Sequence, residues 1–61
     1  MRLFVRTMDA VLVEFDSAGR VRFDGEEWTK PSVQERRAII HAAQDEIEHL
    51  KELLDVLETE P

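Results

Sequence analysis

The chain has 61 residues, no cysteine, and a formal charge of −6 from 14 acidic and 8 basic side chains. That length allows one domain at most, and a domain so small buries only about 60% of its unfolded surface and is marginal alone. The lack of cysteine excludes disulfides and thiolate metal sites, so association with another subunit is the remaining staple for so small a core. Hydrophobic residues make up 43% of the chain, enough for an ordered domain. The negative balance argues against phosphate-backbone binding by the whole surface and favours solubility and a basic partner. Asp9 and Glu14 interrupt the apolar core that a signal peptide would need, and no stretch approaches the ~20 apolar residues of a membrane span. With cysteine absent, the expected location is cytoplasmic, with no membrane association.

Residues 2–7, 11–16 and 20–24 alternate at period two and are rich in β-branched and aromatic types, which predicts three strands. Asp16 opens the second turn and Gly19 supplies the left-handed residue of a three-residue hairpin loop. Pairing Asp16 with Arg20 sets Phe15 opposite Val21, Glu14 opposite Arg22 and Val13 opposite Phe23. The first connection, Met8-Asp9-Ala10, is less defined; pairing Thr7 with Val11 sets Val5 beside Val13 and Leu3 beside Phe15. The expected inner face is then Leu3, Val5, Val11, Val13, Phe15, Val21 and Phe23. Asp24-Gly25 is a further turn signal. It launches either a short fourth strand over residues 26–29, with Trp28 beside Val21, or a loop in which Trp28 caps the core.

Residues 32–58 read as one helix. Ser32-Val33-Gln34-Glu35 matches a capping box, and no Gly or Pro follows until Pro61. Such a helix is roughly 40 Å long at about 1.5 Å per residue, twice the ~20 Å of a six-residue strand. Val33, Ile40, Ile47 and Leu54 fall on one heptad row, and Arg36, Ala43, Leu50 and Leu57 on its companion, with Arg36 the misfit. Ile39, Ala42, Leu53 and Val56 widen the stripe, leaving room for the sheet on one flank and a second helix on the other. The expectation is a dimer or higher homo-oligomer joined through Ile47, Leu50, Leu53, Leu54 and Leu57. The competing account is a break near Ala42-Ala43, giving a helical hairpin within one monomer.

Four features bear on chemistry. Glu46 and His49 have the i, i+3 spacing of di-iron helices, and His41 and Asp45 are at i, i+4. Placing His41 and Asp45 on the far, solvated side of the helix keeps the four from converging on one ion, so no metal or other cofactor is expected. No nucleophile–base set or phosphate loop is present, and so short a chain has little room for a pocket of ~300 Å³, so no enzyme activity is expected. The outer face of the meander is expected to carry Arg2, Phe4, Arg6, Leu12, Arg20 and Arg22, with Glu14, Asp16 and Asp24 between. Arginine beside an aromatic is the composition of protein interfaces and of single-strand nucleic-acid binders; the plain reading is cross-strand ion pairs and an exposed Phe. Lastly, Asp45, Glu48, Glu52 and Asp55, joined by Glu58 and Glu60, step along one side of the helix. The stripe either mimics a phosphate backbone or is a solvated face.

The sequence therefore predicts an α+β fold: a three- or four-stranded antiparallel meander over residues 2–29, then one long amphipathic helix over residues 32–58 that packs across the inner face and oligomerises. The function expected is non-catalytic protein–protein interaction, as a homo-oligomeric regulator or inhibitor of the kind phages and mobile elements encode. The alternative is a nucleic-acid-associated, antitoxin-like dimer reading through Arg2, Arg6, Arg20 and Arg22.

Overall fold

The computed structural model of the chain describes residues 1–59, so Glu60 of the expected acidic stripe and Pro61 lie outside the described residues. Three short strands, β1 (Leu3–Val5), β2 (Ala10–Phe15) and β3 (Val21–Phe23), form one antiparallel sheet in that order, and one helix, α1 (Val33–Glu58), follows. The fold is α+β.

The β2–β3 hairpin forms as its turn chemistry predicts. Gly19 adopts φ 85°, the Gly19 N–H donates to the Asp16 carbonyl, and the Asp16 N–H donates to the Arg20 carbonyl at 3.0 Å. Phe15 lies opposite Val21 and Glu14 opposite Arg22. Beyond Glu14 the register shifts, and Leu12 rather than Val13 faces Phe23. Val13 is thus the extra residue of a β-bulge, which turns Leu12 to the same face as Phe15.

The first hairpin differs from expectation. Leu3 pairs with Leu12, Phe4 with Val11 and Val5 with Ala10, in place of Thr7 with Val11. Arg6–Met8 forms a 3₁₀ turn and Asp9 sits in the left-handed region at φ 49°, its N–H donating to the Arg6 carbonyl. This turn shortens β1 and displaces its pairing by three residues, an odd number, so the inward face of β2 changes. The buried core is Leu3, Val5, Leu12, Val21 and Phe23. Leu12, expected on the outer face, is only 2% exposed, whereas Val11 and Val13 are half-buried and Phe15 is 66% exposed. Three consecutive apolar residues, Val11-Leu12-Val13, leave alternation unable to choose the face; the turn and the bulge decide it.

Residues 26–29 do not form a fourth strand. Val21 and Thr29 make a single bridge, exchanging N–H···O bonds of 2.8 and 2.9 Å. Trp28 is 44% exposed, while Pro31 is buried. Asp24-Gly25 does turn the chain, with Gly25 at φ 79° and the Glu26 N–H donating to the Phe23 carbonyl.

The capping box is complete: the Glu35 N–H donates to Ser32 Oγ at 3.2 Å and the Ser32 N–H donates to Glu35 Oε1 at 2.7 Å. From there α1 runs unbroken through Ala42-Ala43, which removes the helical-hairpin alternative. Ala38, Ile39, Ala42 and Ala43 rest on the core, mainly over β1 and the 3₁₀ turn. The apolar residues of α1 after Ala43 do not join this core. The molecule measures 46 × 22 × 18 Å with a radius of gyration of 13.9 Å. A globular chain of this length would have a radius of about 10.5 Å. Among the described residues no helix is long and apolar enough to cross a membrane.

Candidate functional site

The projecting half of α1 is the first candidate surface. Heptad spacing keeps Ile47, Leu50, Leu54 and Leu57 along one side of the helix, with Leu53 and Val56 beside them. Each of these six side chains is at least half exposed, and Val33 and Ile40 nearer the sheet are 62% and 47% exposed. No residue of α1 is fully buried. The chain exposes 5198 Å², where a compact monomer of 7.1 kDa exposes roughly 4,100 Å². A contiguous run of exposed apolar side chains like this one is characteristic of contact surfaces.

The acidic stripe is the second. Asp45, Glu48, Glu52 and Asp55 are all exposed, and the ion pairs among the described residues lie elsewhere, on the sheet. Lys51 is the only Lys or Arg after Arg37. The carboxylates therefore face solvent as a row of like charge.

The sheet's arginines are differently placed. Arg2 pairs with Asp24 at 3.2 Å, Arg20 with Asp16 at 2.7 Å, and Arg22 with Glu14 at 2.7 Å. Arg22–Glu14 is the cross-strand pair that the register predicts. Asp16 also accepts from the N–H groups of Ala18 and Arg20. The Arg20 N–H, then its guanidinium and the Ala18 N–H, hold the Asp16 carboxyl below its ordinary range. Three of the four arginines are thus committed to carboxylates. Leu12 leaves this face for the core, and Phe4 and Arg6 turn to a groove beside the helix.

That groove has a volume of about 470 Å³ and is open to solvent; Phe4, Arg6 and Thr7 form one wall, and Ala38, His41, Ala42, Asp45, Glu46 and His49 the other. It is larger than so short a chain led us to expect. It also brings His41 and Asp45 to the same side as Glu46 and His49, a correction to their assignment to opposite sides. His41, Asp45 and His49 are successive i, i+4 neighbours, a spacing legible in the sequence; Thr7 enters the groove only through the unforeseen 3₁₀ turn. Among the described residues no three His, Asp or Glu side chains come close enough to hold a metal ion.

Comparison of the chain with protein-family models, curated proteins and solved structures returns no match.

Proposed function

We propose that the chain is a non-catalytic protein-interaction module that works in the cytoplasm as a homo-oligomer and regulates or inhibits a target protein. The observation that carries this reading is the uncovered leucine-rich half of α1, with six large apolar side chains at least half exposed beyond a five-residue core. A helix this exposed gains little from its own sheet, and tertiary packing is the usual source of helical stability. A second copy is the available cover, because the same face recurs on every chain.

The acidic stripe supports the second half of the reading. Its carboxylates stay exposed when the apolar stripe is covered, since the two occupy different sides of the helix. They fit a basic surface on a target, including one that otherwise binds nucleic acid. A small inhibitor of the phage type is the specific version we favour. Direct nucleic-acid binding draws less support, because Arg2, Arg20 and Arg22 are each held by a carboxylate.

Sedimentation equilibrium tests the oligomer: a mass of two or more chains is expected, and a folded monomer with an intact helix would exclude it. Once a target is identified, neutralising Glu48, Glu52 and Asp55 together tests the acidic face. Unchanged binding by that triple variant would remove the stripe from the interface.

A further inference from the structure

We infer that α1 pairs antiparallel with α1 of a second copy, about a two-fold axis lying between Ile47 and Leu50. The inference rests on the homo-oligomer reading and adds the polarity and register of the contact.

Helix geometry separates two apolar lines. At about 100° per residue, Val33, Ile40, Ile47 and Leu54 lie roughly 120° around the helix from the Ala38–Ile39–Ala42–Ala43 patch that rests on the sheet. Leu50 and Leu57 fall between the two lines. A second helix therefore has a seam along α1 that the chain's own sheet leaves open except at Ala43, which borders both contacts.

Side-chain size sets the polarity. Parallel, in-register pairing stacks each seam position on itself. Arg36 would then meet Arg36, a like-charge contact, and Ala43 would meet Ala43, which leaves a void. Antiparallel pairing about the proposed axis sets Ile47 against Leu50 of the second copy, Ala43 against its Leu54, and Ile40 against its Leu57. The small residue meets a large one, as close packing requires, and the projecting leucines of each copy cover the exposed Ile40 of the other.

Charge selects the same arrangement. Arg36 and Arg37 lie in the first turns of α1, and the later turns are dominated by Asp45, Glu46, Glu48, Glu52, Asp55 and Glu58. Parallel helices would set the whole acidic half beside its copy, whereas the antiparallel register removes Asp55 and Glu58 from that contact. Antiparallel helices bring Glu58 beside Arg37 of the second copy. The last turn of α1 has no basic residue of its own, although a helix C-terminus favours cations. Arginines of the second copy would fill that role.

The area is sufficient. Each chain exposes roughly 1,100 Å² beyond the surface of a compact monomer of its mass. Covering an area of that size on two copies removes about 2,200 Å², the size of a homodimer interface.

Spin-label distance measurements test the polarity, and the absence of native cysteine makes single labels simple to place. Lys51→Cys and Glu58→Cys occupy equivalent heptad positions seven residues apart, both exposed. In the antiparallel dimer, axial separation grows by about 3 Å per residue from the axis, to about 8 Å at position 51 and about 28 Å at position 58. A distance at 58 longer by well over 10 Å, with helix content unchanged by circular dichroism, is the expected result. Equal distances at the two positions would overturn antiparallel pairing while leaving the homo-oligomer intact. No dipolar coupling at either position, together with a single-chain mass, would overturn both.

Discussion

Asp16 collects the Arg20 N–H, the Ala18 N–H and the Arg20 guanidinium on one carboxylate, at 2.9, 3.0 and 2.7 Å. These donors favour the charged form, so the carboxyl titrates below its ordinary value of 3.8. A depressed folded-state pKa contributes stability that is fully present above the unfolded value and is lost as pH falls through the folded value. Asp16→Asn keeps the shape and removes the charge. It is expected to unfold at lower urea than the parent near neutral pH, and the gap is expected to close well below pH 3.8. A gap that stays constant across that range would assign the effect to shape alone. At this scale the sequence was readable: an Asp opening a turn that ends in Gly is local chemistry, and Glu14 opposite Arg22 follows from it. Asp9 was not, because a left-handed Asp has no signature beyond the tolerance of that residue type for the conformation.

The elements divide by whether local chemistry or a face decides them. The capping box, the heptad rows and the lack of Gly or Pro before Pro61 made α1 legible from end to end. The β1–β2 register was not legible, since Val11-Leu12-Val13 offers apolar side chains to both faces and the 3₁₀ turn over Arg6–Met8 shifts the pairing. Truncations distinguish the observed register from the alternating one. Leu12 is 2% exposed, and Leu12→Ala is expected to cost about 2–5 kcal/mol. Phe15 is 66% exposed, and Phe15→Ala is expected to change stability by no more than about 0.5 kcal/mol. Chemical denaturation of both variants measures this, and the reverse order would restore the alternating register. A chain of 61 residues has about 3–9 kcal/mol in total, so Leu12→Ala is expected to populate the unfolded state visibly.

Over the whole molecule, a long helix is attached to a sheet that covers it only between Ala38 and Ala43. The overhang was readable from lengths, since roughly 40 Å of helix outruns strands of about 20 Å. Of the sheet's paired arginines, Arg20 and Arg22 were readable from the β2–β3 turn, and only Arg2 was hard to place, because its pairing with Asp24 depends on the β1 end that sequence leaves open. The overhang has a thermodynamic consequence. If the leucine-rich turns are covered by a second copy, folding and association are linked, and each tenfold rise in chain concentration stabilises the folded dimer by about 1.4 kcal/mol. The melting temperature is then expected to rise with concentration. Leu50→Glu places a charge at the seam beside the proposed axis, where it meets Ile47 of the second copy. That variant is expected to sediment as a single chain and to lose most of its helix signal, since five buried residues are a small core for a chain alone. A Leu50→Glu chain that stays helical, monomeric and equally heat-stable at every concentration would show that the sheet and the first turns of α1 suffice, and that the exposed leucines serve some contact other than self-association.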